Sequence, residues 1–363
     1  MMLGQGQMTG AGLARAATNS VKRTFAAHVP LYICAIFFLT ITQGVMAWYG
    51  IAMPYQASLV FLKTVPEFAL LGAAVFAAFE FVSLLRSGYT GSPSKAIATK
   101  LVDGLFAGDR PGNIFHALVT MTPLMIAFAA MKEAIPEIHP FSWDHTFYQW
   151  DSWLGAGTPW WMWLQPVLGY PIITTAINAI YDLWFAVMFG SLFWMAFAKD
   201  NTALRIQFLL AFAFSWFIAG NVLATIFSSA GPCFYRGIVG GTDPYAAQMF
   251  YLRTTAAHWP VWSVQIQDLL WHSYATGDGA VRGISAMPSM HLVIAALSAC
   301  LGWRINRFWG WALTGFTAIV YVGSIHLAWH YASDGIAGIA LAVAFWWFAG
   351  WIVRRMNAGA FAA

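Results

Sequence analysis

Long apolar runs constrain this chain more than any other feature of its sequence. A transmembrane helix needs about 20 mostly apolar residues. About eight such runs are present, near 29–49, 66–86, 114–135, 172–198, 205–229, 288–303, 308–327 and 331–353. Charged residues make up only 9% of the chain, whereas soluble proteins carry about 25%. The sequence therefore predicts an all-α, polytopic membrane protein of about eight transmembrane helices.

The distribution of basic residues predicts how these helices are oriented. With the N-terminus inside, 13 of the 18 Lys and Arg residues fall on the inner side. The remainder, on the outer side, are Lys63, Lys132, Arg236, Arg253 and Arg282. This bias is the positive-inside pattern of membrane proteins. We therefore expect both termini in the cytoplasm and the long loop 230–287 on the opposite side.

Two short polar runs interrupt the apolar C-terminal third of the chain. The first is Ala-Met-Pro-Ser-Met-His at 286–291, and the second is Ser-Ile-His-Leu-Ala-Trp-His-Tyr-Ala-Ser-Asp-Gly at 324–335. Ionisable side chains are costly at membrane depth, so a cluster of them at the ends of apolar helices indicates a functional site.

The spacing within these runs suits phosphoryl transfer. Asp334 lies four positions after His330, so on a helix the two share one face, which His326 could also share. A carboxylate bonded to one imidazole nitrogen leaves the other as a nucleophile or base. His291 follows a Pro-Ser pair that can begin a helix with Pro288 at its first position, where backbone N–H groups favour a phosphate. The alternative is that these are hydrogen-bonded structural histidines.

The same residues resemble motifs of a known family. Pro288-Ser289-Met290-His291 resembles the Pro-Ser-Gly-His motif of the type-2 phosphatidic acid phosphatase (lipid phosphate phosphatase) superfamily. His330 and Asp334 resemble the His-x-x-x-Asp that ends its third motif. The resemblance implies that His330 attacks phosphorus and that Asp334 orients it. It also implies that His291 protonates the leaving group and later acts as the base.

Departures from these motifs resemble one branch, the inositol-phosphorylceramide and sphingomyelin synthases. Met290 replaces the Gly of the second motif, and Gly323 and Ser324 replace the Ser-Arg of the third. Residues 231–235, Gly-Pro-Cys-Phe-Tyr, resemble that branch's Ala-Pro-Pro-Trp-Tyr element. A phosphate-binding arginine is therefore missing from the third motif.

Arginines of the predicted outer loop are candidates to replace it. Arg282 lies nine residues before His291 and is the first choice, followed by Arg236 and Arg253. A planar guanidinium makes bidentate bonds to phosphate oxygens, although each of these arginines could equally be a solvated loop residue. The predicted substrate-binding set is completed by Ser289, His326 and Tyr235.

Lys199 and Arg205 resemble the superfamily's first motif, in which a Lys precedes an Arg-Pro pair. Here the spacing is one residue short and no Pro follows. The topology also places both residues on the cytoplasmic side, a membrane thickness from His291. We therefore exclude them from the predicted site.

These observations divide the chain into five regions. The Trp-rich segment is expected to lie in the membrane interface, as an anchor or as a route for lipid. The regions are a cytoplasmic tail at 1–28, N-terminal transmembrane helices at 29–135, the Trp-rich outer segment at 136–171, a phosphatidic-acid-phosphatase-like catalytic bundle at 172–353 that includes the loop 230–287, and a cytoplasmic tail at 354–363.

The resemblance implies a lipid phosphotransferase that moves a phosphate-containing headgroup through a phosphohistidine on the non-cytoplasmic face. The donor would be a phospholipid or lipid phosphate, and the acceptor a lipid alcohol, a polyol or water. The alternatives are a phosphatase acting on phosphatidic acid or an isoprenyl diphosphate, and, less favoured, a lipid transporter or scramblase, whose site should lie near the membrane midplane.

Surroundings and partners follow from the same reasoning. We expect no cofactor and no metal, because arginine and imidazolium supply positive charge. The sequence carries no nucleic-acid signature and indicates no particular protein partner beyond membrane lipids. The predicted location is a bacterial inner membrane with the site facing the periplasm, or a eukaryotic membrane with the site facing the lumen.

Overall fold

A computed structural model describes residues 10–53, 55–199, 202–277 and 283–360. Helices of several kinds joined by turns account for the regular structure of these residues, and no strand occurs among them. The prediction of an all-α protein is therefore confirmed for the described part of the chain.

The N-terminal helices pack closely because small residues meet at their crossing. Gly112 lies so near α1 that a Cβ there would fall 2.6 Å from the Ser20 carbonyl oxygen, and its N–H donates to Ser20 Oγ at 3.0 Å. These helices are α1 (Gly10–Trp48), α2 (Tyr55–Arg86), α3 (Pro93–Leu105) and α4 (Arg110–Ile138).

The middle of the chain combines two short helices with two long helical stretches. The second long stretch contains a π-helical segment, Ser215–Leu223, of the kind often found near functional sites. The α-helices are α5 (Asp144–Leu154), α6 (Trp160–Leu168), α7 (Pro171–Asp182), α8 (Trp184–Phe197), α9 (Thr202–Phe214) and α10 (Ala224–Ile226).

The C-terminal part is built around one central helix, α14, which is apolar on all sides because it is buried on all sides. Its residues Leu292 to Leu297 are at most 5% exposed. The helices of this part follow a 3₁₀ turn, Pro232–Phe234. They are α11 (Tyr235–Ile238), α12 (Ala246–Ala256), α13 (Trp262–Thr276), α14 (Met290–Ile305), α15 (Arg307–His326) and α16 (Ala332–Ala360).

The protein is a multi-pass membrane protein: within the described ranges, six helical stretches are long and apolar enough to cross a membrane. Two of the eight predicted spans are not among them. The run at 66–86 lies within α2, and the run at 288–303 corresponds to α14, which at 16 residues is shorter than a full span. The six stretches are Gly10–Trp48, Arg110–Ile138, Pro171–Phe197, Ala203–Ile226, Arg307–His326 and Ala332–Met356.

Cross-links between helices define one end of the bundle. Arg110 Nε, at the start of α4, donates to the Phe197 carbonyl at 2.6 Å, near the end of α8. Gln207 Nε2 of α9 donates to the Trp346 carbonyl of α16 at 3.0 Å. The start of α1 lies at this end too, through its contact with α4. The two polar motifs lie toward the other end, and which end faces the cytoplasm remains a prediction.

Candidate active site

His291 lies in the first turn of α14. Ser289 is the N-cap of this helix, so Pro288 precedes the cap and does not take the first helical position as expected. The imidazole stacks on the Tyr181 ring, with 4.5 Å between centroids, and lies 4.4 Å from the Trp184 ring. Trp184 Nε1 also donates to the His291 carbonyl at 3.0 Å. Two aromatic rings therefore fix the orientation of this histidine.

His330 lies in the turn between α15 and α16. Its Nδ1 is 3.4 Å from Oδ2 of Asp334. This separation exceeds the usual N–H···O distance of about 2.9 Å, and such catalytic contacts often tighten when substrate binds. The same Oδ2 accepts a hydrogen bond from the Tyr331 N–H at 3.0 Å. Since α16 begins at Ala332, the pair spans a helix start and does not share one helix face as predicted.

The two histidines face each other across one cavity. Their ring centroids are 6.0 Å apart and their planes meet at 60°. Both line a cavity of about 420 Å³ whose walls are mainly aromatic and aliphatic. A phosphorus atom bonded to His330 would lie within reach of His291 in this arrangement. The apolar lining includes Phe128, Phe185, Trp216, Ile266, Met290 and Trp329.

Lys132 of α4 brings a basic side chain to this cavity. Its side chain lines the same space as both histidines and lies over Gly283, where an added Cβ would come within 2.8 Å of Lys132 Cγ. No carboxylate among the described residues forms an ion pair with it. Asp182 lines the cavity too, but its Oδ2 accepts a hydrogen bond from Asn178 at 2.8 Å.

Asp144 of α5 holds two loops of the site together. Its Oδ2 accepts from the Ala230 N–H, and its Oδ1 accepts from the Gly231 N–H and the Tyr331 hydroxyl, each at 2.8 Å. The Asp144 side chain is only 1% exposed. A single buried carboxylate therefore connects the Gly-Pro-Cys-Phe-Tyr element to the residue that follows His330.

Further buried polar groups bind the backbone of the same turn. Asp151 Oδ1 accepts from the Ala332 N–H at 2.8 Å. Gln267 Nε2 donates to the Leu327 carbonyl at 2.9 Å, and the Cys233 N–H donates to the Ala328 carbonyl at 3.0 Å. Buried backbone groups need such partners, so the turn that carries His330 is held from three directions.

Burial sets the protonation of the groups outside the spans. It lowers the pKa of His330 from 6.5 to about 3, with a further contribution from the Lys132 charge, while a backbone hydrogen bond with Ala286 acts in the opposite direction. The imidazole is therefore neutral, as a nucleophile must be. Burial raises the pKa of Asp144, although its three hydrogen bonds act to lower it. It also raises the pKa of Asp151 to about 6.

Three residues of the predicted substrate-binding set do not line the cavity. His326 does not share a face with His330, because its Nε2 bonds Thr174 Oγ1 at 2.9 Å. The Tyr235 hydroxyl bonds His145 Nδ1 at 3.1 Å. Ser289 is buried, and its N–H donates to the Asp334 carbonyl at 3.2 Å. Their predicted roles in binding substrate remain predictions.

The predicted arginines are placed differently. Arg253 is exposed and pairs with Asp268, with Nη2 at 2.6 Å from Oδ1. Arg236 is exposed as well, and neither arginine lines the cavity of the histidines. Arg282 lies outside the described residues. Among the described residues, the cation that lines this cavity is Lys132.

Lys132, Asp144 and Asp151 were not predicted as site residues. One feature of the sequence pointed to Lys132: it is a basic residue on the predicted outer side, at the end of a predicted span, where the positive-inside pattern makes a lysine unexpected. The two aspartates lie in the Trp-rich segment, which the sequence predicts to lie in the membrane interface. Trp153 and Trp163 are indeed largely exposed, but the opposite face of α5 carries Asp144 and Asp151 into the site.

These features define a class of protein, a helical multi-pass membrane protein with paired histidines and a buried carboxylate at one cavity. Within the described residues, no group of His, Cys, Asp or Glu side chains is arranged to hold a metal ion. The sequence model of the PAP2 superfamily matches residues 145–348. The chain therefore belongs to this superfamily, whose members include phosphatases and phosphotransferases, so it is an enzyme of that kind. No curated protein and no solved structure matches it significantly.

Proposed function

We propose that the protein is a lipid phosphotransferase that moves a phosphate-containing headgroup from a phospholipid donor to an alcohol acceptor. The observation that carries this proposal is the pair His291 and His330, 6.0 Å apart between ring centroids, in an apolar cavity that Lys132 also lines. The chemistry needs a neutral nucleophile, a proton donor and a positive charge, and these three residues supply them.

The first half of the reaction forms a phosphohistidine. His330 uses a ring-nitrogen lone pair to attack phosphorus, while Asp334 holds Nδ1 and stabilises the charge that develops on the ring. Burial and the neighbouring His330 and Lys132 lower the pKa of His291, so we propose that this ring takes up a proton when the anionic phosphate binds. The bond from phosphorus to the leaving oxygen then breaks, and protonated His291 gives that oxygen its proton. Lys132 stabilises the negative charge on the non-bridging oxygens.

The second half returns the enzyme to its starting state. His291, now neutral, takes the proton of the acceptor hydroxyl, the acceptor oxygen bonds to phosphorus, and the bond between phosphorus and His330 breaks. Water could follow the same route, so selectivity depends on keeping water out. The ring of Trp329 and the side chain of Met290 line the cavity, which supports an alcohol-bearing lipid or polyol, such as a ceramide, diacylglycerol or inositol, as the acceptor.

We further propose that the site faces the non-cytoplasmic side of the membrane. The support is the sequence bias, with 13 of 18 basic residues on the predicted inner side. In a bacterium this would place the reaction at the periplasmic face of the inner membrane, and in a eukaryote at a lumenal face.

The test is a product analysis with purified protein in lipid. A phospholipid donor labelled in its phosphate is supplied alone and with each acceptor, and the products are separated. We expect label to move into a lipid or polyol product whenever its acceptor is present. Free phosphate or free phosphorylated headgroup as the main product with every acceptor would mean that the enzyme is a hydrolase.

Matched histidine variants identify the activity as that of this site. His330→Ala should lose both transfer and hydrolysis. His258→Ala, which changes an exposed histidine between α12 and α13, should retain both.

A further inference from the structure

A second cavity lies at the opposite end of the bundle and is lined by basic residues. It measures about 430 Å³, and its charged residues are Arg110, Lys199, Arg205 and Arg304. No acidic side chain lines it among the described residues; residues 200 and 201, next to it in sequence, are not described. We call this cavity the basic pocket.

Arg205 is the most informative residue of the basic pocket, because it is fully buried yet its guanidinium has no anionic partner among the residues that the structure describes. It is 0% exposed. Nη2 donates to Asn113 Oδ1 at 2.8 Å and to Nε2 of His28. Since His28 Nδ1 is bonded to the Thr24 carbonyl at 2.7 Å, Nε2 is the acceptor nitrogen and the His28 ring is neutral. Both partners of Arg205 are therefore uncharged.

Two donors of the same guanidinium are left over. Nε and Nη1 of Arg205 are buried and have no hydrogen-bond partner within the described part of the chain. A buried charge without a compensating charge is strongly unfavourable, and buried polar atoms without partners are rare. The position of Arg205 in the first turn of α9 adds to the cost, because a helix N-terminus is itself positive. An anion in the basic pocket would offset all three effects.

The other side chains specify the kind of anion. Arg304, in the last turn of α14, and Lys199 are exposed at the mouth of the pocket, and Arg guanidinium groups bind phosphate oxygens in a bidentate manner. The walls also include Trp194, Leu204 and Ile305, which are suited to the apolar part of an amphiphile. The composition of the pocket thus matches a phosphate group next to a hydrocarbon surface.

We propose that the basic pocket is a binding site for a phosphate-bearing anion. This anion is either the headgroup of an anionic phospholipid or a soluble phosphate. The site is separate from the cavity of the two histidines: Arg110 and Lys132 lie 22 residues apart on α4, or about 33 Å along the helix axis. The basic pocket also gives a role to Lys199 and Arg205. Neither residue takes part in the proposed phosphotransfer, so this proposal does not depend on the proposed function.

Two probes distinguish the sources of the phosphate. Native mass spectrometry of the purified full-length protein measures retention of phosphatidylglycerol, with zwitterionic phosphatidylcholine as the reference lipid. Thermal unfolding in detergent measures stabilisation by inorganic phosphate, against chloride at equal ionic strength. The test variant is Lys199→Gln combined with Arg304→Gln, two exposed positions that should not impair folding. The matched control is Arg307→Gln, an exposed arginine that does not line the pocket.

We expect preferential retention of phosphatidylglycerol, or a rise in Tm with phosphate, in the wild type and in the control. The double variant should weaken that binding by about tenfold or more, because two charged hydrogen-bonding groups are lost. Retention of the lipid alone identifies a headgroup site, and stabilisation by phosphate alone identifies a soluble ligand. If the double variant and the wild type respond equally to both probes, the proposal is wrong.

Discussion

The Tyr331 hydroxyl donates a 2.8 Å hydrogen bond to Oδ1 of Asp144, a residue 187 positions earlier in the chain. This bond ties the turn that carries His330 to α5, and Asp144 in turn holds the N–H groups of Ala230 and Gly231. The nucleophile therefore depends on a helix that contributes no atom to the cavity lining.

Tyr331→Phe removes only this hydroxyl, so it tests whether the bond positions His330. A hydrogen bond to a carboxylate contributes about 1.5–3 kcal/mol of stability, and misplacement of a catalytic group can cost about a hundredfold in rate. We expect a lower Tm and a lower kcat with little change in KM. In the control, Tyr32→Phe, a 2.8 Å bond to His116 Nδ1 is lost between α1 and α4, away from the turn, and only Tm should fall. Equal kcat values for the two variants would refute a positioning role for Tyr331.

Lys132→Met tests whether this lysine supplies the charge that the third motif lacks. Loss of one group that stabilises transition-state charge costs about 10²–10³-fold in kcat, and we expect a loss of that size in kcat/KM. Lys132→Arg should recover part of it, because the charge remains. Lys95→Met, at an exposed position on α3, is the control and should have no effect. Wild-type activity in Lys132→Met would assign the phosphate contact to another cation.

The protonation of His330 gives a prediction about pH. Its pKa is lowered from 6.5 to about 3, so the neutral ring persists well below pH 6.5. As pH falls from 6.5 towards 3, the unfolded chain binds a proton that the folded ring does not, and stability contributed by this residue is lost. NMR of labelled histidine should show no titration of His330 near 6.5. In Lys132→Met the His330 pKa should rise, since a repelling charge is gone. A wild-type His330 that titrates near 6.5 contradicts this account.

Met290 is predicted to limit access of water to the phosphohistidine. Its Sδ would be 3.3 Å from a Cβ at Gly220, so the absence of a side chain at that position gives the Met290 thioether room beside the cavity. Met290→Gly should raise the ratio of hydrolysis to transfer, whereas Met290→Leu, which keeps the volume, should not. The ratio is measured within one reaction, so it does not depend on how much enzyme is folded. An unchanged ratio in Met290→Gly would remove Met290 from the explanation of selectivity.

The sequence predicted what depends on local composition. Apolar runs of membrane length correspond to most of the long helices, because a helix of about 20 apolar residues is stable across a bilayer. The shortness of α14 was already visible in the sequence, because the predicted run at 288–303 is no longer than the 16 residues of the helix. What the sequence could not show is that other helices enclose α14.

The site was predictable to the extent that its residues are close in sequence. His330 and Asp334 lie within one short run, and His291 adjoins a recognisable Pro-Ser pair. Lys132 and Asp144 reach the same region from α4 and α5, and both lie more than 140 residues before His291 in the sequence. Nothing in the local sequence pattern shows that residues so far apart meet at one site. The outer-loop arginines were chosen by charge alone, and charge does not show which side chain faces a cavity.

If the proposed function is correct, His330 becomes covalently phosphorylated during each turnover. The most direct measurement is rapid acid-free quenching of the enzyme with a phosphate-labelled phospholipid, followed by peptide mapping of the labelled protein. We predict an acid-labile label on the peptide that contains His330, and none in folded His330→Ala. A label on another residue, or full activity of well-folded His330→Ala, would contradict it.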